Sequence, residues 1–152
     1  MSGLRVVVGE DRIDPETALA AVGSDVDGAV LLFLGTVRNH NEGRAVSGLH
    51  YEAYPEMAES ELHSILDEAA RKFGTDRIAA FHRLGSLAIG DVSVAVAVSS
   101  PHRGQAFECG RWIMEELKVR LPIWKKEGYV EGGEAWVRGA DPNVRHPASS
   151  GD

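Results

Sequence analysis

Apolar and polar positions alternate along this chain in stretches of two different periods, and the stretches follow one another in a definite order. LRVVVG (4–9) has the length and β-branched content of a short strand. DPETALAAVG (14–23) predicts a short helix, with Asp14 as N-cap, Pro15 in the first turn and Gly23 as its end. GAVLLFLGTVR (28–38) is a continuous apolar run of strand length, which predicts a strand buried on both faces. NHNEGRA (39–45) is polar and reads as a loop, and VSGLHYEAY (46–54) as the strand returning from it.

From Pro55 to Phe73 the apolar residues Ala58, Leu62, Ile65, Leu66, Ala69 and Phe73 recur at helical spacing, and Gly74 supplies a C-cap. RIAAFHRLG (77–85) and VSVAVAVSS (92–100) read as strands joined by SLAIGD. A second long helical stripe, Ala106, Gly110, Ile113, Met114, Leu117 and Leu121, runs from Gln105 to Leu121. IWKKEGYV and GEAWVR predict short strands around a Gly132–Gly133 turn. The order β-α-β-β-α-β-β-α-β-β implies an α/β or α+β sandwich whose strand neighbours are partly antiparallel. One domain is expected over residues 1–139, followed by a flexible C-terminal tail over 140–152, where periodicity is absent.

Composition narrows the class. The chain has 152 residues and a formal net charge of -7, which argues against a general nucleic-acid binder. Its single cysteine, Cys109, excludes an internal disulfide, and no CxxC, HxH or HExxH pattern is present, so no metal site is expected. No apolar run approaches a membrane span. The opening MSGLRVVVGEDRIDPE has no long apolar core, so it does not read as a signal peptide, and a cytoplasmic protein is expected.

Charge is uneven along the chain. Residues 52–76 are dominated by acids, whereas 101–127 carry Arg103, Arg111, Lys118, Arg120, Lys125 and Lys126. A local basic region on an acidic protein suggests a defined anionic ligand. Three segments carry the candidate chemistry. FLGTVRNHNEG places Arg38 where an apolar strand gives way to a polar loop. SSPHRGQAFECG places His102 and Arg103 at a helix start, where backbone N–H groups and the helix dipole favour an anion. On this reading Arg38, His102 and Arg103 should converge.

KVRLPIWKKEGY places Lys118 before a helix-breaking Pro122 and Lys125–Lys126 after it. The break lets two lysines approach one ligand from different directions, with Ile123 and Trp124 holding the second segment by burial. A desolvated lysine near other cations has a lowered pKa and can act as base or nucleophile, and Lys126 is expected to lower that of Lys125. Cys109, inside the helical stripe, reads as a buried and inert thiol.

In this order, FLGTVRNHN, YEAYPEMA, HRLGSLAIGD, SSPHRGQAFE and KVRLPIWKKE resemble the catalytic, large subunit of molybdopterin synthase. The resemblance spans residues 28–137. It implies an α/β hammerhead fold with mixed sheets and about three helices, a homodimer, and a heterotetramer with a small ubiquitin-like sulfur carrier. The carrier's C-terminal Gly-Gly thiocarboxylate would deliver two sulfurs, in two rounds, to cyclic pyranopterin monophosphate, giving the molybdopterin dithiolene without a cofactor. The resemblance makes Lys118 and Lys125 the essential lysines. It lines the pterin-phosphate pocket with Arg38, His102 and Arg103, with Thr36, Val37, Lys126 and Glu127 contributing. The family often carries a further arginine after GGEAWV that reaches the neighbouring subunit; here Arg138 stands nearest. The competing reading is a non-catalytic module that binds a phosphorylated small molecule or a partner's C-terminal tail. Such a module needs the arginines and the histidine but no reactive lysine.

Overall fold

The structure, a computed structural model, describes residues 3–137. The expected tail over 140–152 and Arg138 lie outside the described residues. The elements are β1 (Gly3–Gly9), α1 (Pro15–Ala20), β2 (Ala29–Thr36), β3 (His40–Asn41), β4 (Arg44–Glu52) and α2 (Pro55–Phe73). They continue with β5 (Arg77–Arg83), β6 (Gly85–Ala88), β7 (Val92–Ser100), α3 (Arg103–Arg120), β8 (Trp124–Tyr129) and β9 (Glu134–Val137).

One sheet has the order β1-β5-β7-β2; β1 and β5 run parallel, and the remaining pairs are antiparallel. In the second sheet the order is β3-β4-β8-β9, with β6 also pairing with β4. Among the described residues, three helices with one mixed and one antiparallel sheet make this an α+β fold, as the element order implies.

Strand alternation divides the first sheet's side chains between two cores. Ile78, Ala80, Val94, Val96 and Val98 point toward α2 and α3, where Leu62, Ile65, Leu66, Ile113 and Leu117 meet them. Ala79, Phe81, Ala95 and Ala97 point the other way and are covered by Ala18 and Val22 at α1. β7 is therefore apolar over Val94–Val98 because it is central and covered on both faces.

β2 departs from expectation. Its run is just as apolar, yet it is the edge strand of the sheet, and Val30 is 51% exposed. An apolar run reports burial against something, and that something need not belong to the same chain. Two connectors also differ. Residues 39–45 form a tight hairpin between β3 and β4, in which Glu42 and Gly43 both take positive φ (49° and 79°), the conformation of a two-residue I′ turn. SLAIGD is part strand, because β6 finds an edge on β4. α1 ends before Gly23, with Ala21 as its C-cap.

α2 and α3 are tied by charge as well as by packing. Arg120 reaches Glu61 (2.8 Å) and Glu68 (2.6 Å) on α2, and Glu116 (3.4 Å) in its own helix. Part of the acidic stretch therefore neutralises part of the basic one, and Arg120 belongs to the scaffold. Leu62 is fully buried where α2 faces the sheet. Leu62→Ala should lower the unfolding free energy by about 2–4 kcal/mol through lost burial and a residual cavity. The check is a lower urea midpoint at an unchanged slope.

Candidate active site

α3 ends where Pro122 forces it to: Arg120 is the last helical residue and Leu121, with extended backbone, is the cap. Leu121, Pro122 and Ile123 are buried, so the turn is pinned by apolar contacts before β8 begins. Lys118 thus sits on the last turn of α3, and Lys125 near the start of β8, directly opposite Tyr51 of β4.

The third cation comes from the end of β2. Val37 is buried, its N–H donates to Asp91 O (2.9 Å), and its carbonyl accepts from Gly90 N (2.7 Å). These bonds occupy the Val37 backbone groups, so its part in the site is to hold the exposed Arg38 at the strand end, beside Thr36, which is also exposed.

Electrostatics show that the three cations share one region. Partial burial lowers the Lys118 pKa, and the charges of Lys125 and Arg38 lower it further. Burial likewise lowers that of Lys125; Glu127 opposes the shift and Arg38 adds to it. Glu127 is buried at 5% exposure and is committed to the protein. Asn41 Nδ2 donates to both of its oxygens (3.1 and 2.9 Å), and the Tyr129 hydroxyl donates to Oε1 (3.0 Å). Arg38 Nη2 in turn donates to Asn41 Oδ1 (3.4 Å). A hydrogen-bonded chain therefore runs from Arg38 through Asn41 to Glu127, one residue-pair along β8 from Lys125. Glu127 acts here as the internal countercharge and brace of the cluster.

Three expectations need correction. Lys126 does not press on Lys125: successive strand residues face opposite ways, and its amine lies 5.1 Å from the Trp136 ring centre and 3.7 Å from Glu134. The repulsion on Lys125 comes instead from Arg38. Trp124 does not anchor β8 by burial, being 49% exposed; Ile123, at 7%, does.

His102 and Arg103 do not join Arg38 within one chain. They stand at the start of α3 and Lys118 near its end, about 22 Å apart at the helical rise. The register of the sheet agrees, since Ala29 pairs with Ser100 at one end of β2 and Thr36 with Val92 at the other.

Cys109 is fully buried, and burial pushes its thiol pKa up to about 12. It should react with a thiol reagent such as DTNB only after unfolding, and Cys109→Ala should leave turnover unchanged; rapid labelling of the native chain would contradict this. Among the described residues no group of three or more His, Cys, Asp or Glu side chains is placed to hold a metal ion. No described helix is long and apolar enough to cross a membrane.

Sequence reasoning did not find Asn41, Tyr129, Tyr51 or His82. Asn41 and Tyr129 flank the lysines only through the hairpin and the β4–β8 pairing. Tyr51 and His82 sit inside motifs that were legible (YEAYPEMA and HRLGSLAIGD), but nothing in the spacing placed them at the lysines.

Known proteins are similar to this chain in sequence and fold. The model of the MoaE protein family matches residues 8–120. A molybdopterin synthase catalytic subunit from Emericella nidulans is 43% identical over 124 residues, covering 82% of this chain and 64% of its own. The chain thus spans slightly less than two thirds of that relative's length. One of the same name from Escherichia coli K12 is 49% identical over 113 residues, 74% of this chain and 75% of its own. The crystal structure of a molybdopterin synthase from Staphylococcus aureus superposes with a TM-score of 0.81 at 37% identity, covering 91% of this chain and 98% of the other.

Proposed function

The chain belongs to the MoaE protein family, and from that premise we propose that it is the catalytic subunit of a molybdopterin synthase, a sulfurtransferase of molybdenum cofactor biosynthesis. It takes two sulfurs, one per round, from the C-terminal Gly-Gly thiocarboxylate of a small ubiquitin-like carrier and places them on cyclic pyranopterin monophosphate. The observation that carries this reading is the meeting of Lys118, Lys125 and Arg38 from three separate elements, close enough that each lysine's pKa is lowered by a neighbouring cation. A pure anion site needs positive charge alone. Partly desolvated lysines beside a guanidinium, with pKa values lowered by burial and by neighbouring cations, also supply a proton-transfer group or a nucleophile.

Roles follow from position. Lys118, at the helix end, is assigned to the carrier's thiocarboxylate carbonyl, where a cation stabilises the oxyanion that forms on attack. Lys125 is assigned to the pterin side. Arg38 grips phosphate, and Thr36 and Val37 shape the strand end that presents it. Lys126 offers a peripheral charge on the opposite sheet face, and Glu127 organises Asn41 and, through it, Arg38.

His102 and Arg103 enter through a second copy. β2 is an apolar edge strand, so two copies can pair β2 with β2 antiparallel about a twofold axis. Antiparallel pairing sets the Thr36 end of one strand beside the Ala29 end of the other. The latter end is where Ser100, His102 and Arg103 stand. Each of two sites then takes its lysines and Arg38 from one copy and His102 and Arg103 from the other. This homodimer, with one carrier on each subunit, is the heterotetramer, and a cytoplasmic location fits its chemistry. The dimer surface therefore includes β2 itself, contrary to a reading in which that strand is interior.

The direct test is incubation with a thiocarboxylated carrier and the cyclic pterin, followed by detection of the dithiolene product. Absence of product with a folded, dimeric protein would refute the assignment. Arg103→Ala should weaken pterin binding by about 1.5–3 kcal/mol, the scale of a hydrogen bond to a charged group. Unchanged affinity by calorimetry would remove Arg103 from the pocket.

A further inference from the structure

His82 has no part in the roles assigned above, yet the fold brings it to the lysines. It lies on β5, on the face that carries Ile78 and Ala80, and so points into the seam between the first sheet and the second. Across that seam is Tyr51, whose ring meets the His82 ring edge to face at a centroid distance of 5.1 Å and an angle of 79°. Tyr51 is the direct cross-strand partner of Lys125.

The His82 ring is fixed at its other side. Nδ1 lies 2.9 Å from the Arg83 carbonyl oxygen. A carbonyl can only accept, so Nδ1 carries the proton and Nε2 keeps its lone pair. Nε2 is the ring atom remote from the β5 backbone, on the side of the second sheet. Burial first, and then the charge of Lys125, hold the imidazole pKa near 4, so the ring stays neutral at physiological pH.

The groups that face Lys125 are then Lys118 from α3, Arg38 from the end of β2, Glu127 from its own strand, Tyr51 from β4 and His82 from β5. Two neutral rings, paired edge to face, thus stand on the first-sheet side of the Lys125 strand position, and the carboxylate that acts on the lysine, Glu127, comes from its own strand.

We propose that His82 is a positioning residue for Lys125: fixed through Nδ1 to the Arg83 carbonyl and packed against Tyr51, it forms an uncharged floor under the lysine amine that offers a lone pair but no countercharge. This deepens the reading of Lys125 as a reacting group and rests on it, but the floor itself is measurable without turnover.

The chain's lysines are Lys72, Lys118, Lys125 and Lys126. Reductive methylation with a carbon-13 label therefore gives few signals, and NMR titration of the folded chain reads each midpoint. His82→Glu should raise the Lys125 midpoint by about one unit or more, the effect of an opposite charge at close range. His82→Gln, neutral and hydrogen-bonding, should leave it near wild type. An unmoved Lys125 in a folded His82→Glu variant would overturn the proposal.

A second measurement needs no substitution at His82. The nitrogen-15 signals of the wild-type His82 ring should inflect at the Lys125 midpoint, and the inflection should vanish in Lys125→Met. A flat His82 profile in the wild type likewise overturns the floor. The pH profile of kcat separates the two readings. If the Lys125 midpoint rises in His82→Glu and the kcat profile follows it, both stand. If the midpoint rises and the kcat profile does not, the floor stands and Lys125 leaves the chemistry.

Discussion

Lys118→Ala should reduce single-turnover sulfur transfer by about three orders of magnitude, within the range that a positioned proton-transfer or charge-stabilising group supplies. Pterin affinity should be largely intact, because Lys118 is assigned to the carrier's carbonyl. Lys125→Ala should lower both affinity and rate, and Lys126→Ala should be milder, since Lys126 faces away from the cluster toward Trp136 and Glu134.

On this assignment the Lys118 amine would also react when pterin is absent. Its attack on the thiocarboxylate carbon would expel sulfide and leave an isopeptide bond to the carrier. A covalent carrier adduct lost in Lys118→Ala, detected by mass spectrometry, would support this role. If Lys118→Ala loses pterin affinity but turns over normally at saturating substrate, the two lysines have exchanged roles. If both accept arginine without loss, neither is a base or nucleophile, and the cluster is an anion site alone.

Mixing two impaired variants should restore activity, assayed at a pterin concentration too low to saturate Arg103→Ala. Lys118→Ala damages the lysine half of a site and Arg103→Ala the half contributed by the other copy. In a mixed dimer both lesions fall in one site and the second site is intact. After unfolding and refolding together, about half of the dimers are mixed by chance and each has one working site, so activity should recover to about one quarter of wild type. Lys118→Ala mixed with Lys125→Ala, two lesions in the same half, should recover nothing, because every site receives one of them. Absence of recovery in the first mixture would show that His102 and Arg103 do not serve the lysines of another copy. A charged substitution in the edge strand, Val30→Asp, should yield a monomer by light scattering if β2 is the dimer contact; a persistent dimer would place the contact elsewhere.

The elements themselves were legible in the sequence because their causes are local. α2 ran from Pro55 to Phe73 as its stripe and Gly74 required, with Gly74 in the left-handed conformation (φ 70°). α3 stopped ahead of Pro122, since a proline forbids the next helical bond wherever it sits. β7 matched VSVAVAVSS from Val92 to Ser100. The candidate lysines and Arg38 were visible too, as cations at a forced break and a strand end.

What the sequence did not determine is which of these features share a place. An apolar run records that a strand will be covered and not by what, so β2 and β7 read alike although one is central and the other an edge. A helix start and a helix end, both basic, read as one anion site until the rise of α3 set them about 22 Å apart. Lys125 and Lys126 are neighbours in sequence and face opposite ways in the strand. Asn41, Tyr51 and His82 are distant in sequence and reach the lysine cluster only through strand register. Propensity and capping act over a few residues, whereas the charge environment of Lys125 is set by sheet pairing, which only the folded chain defines.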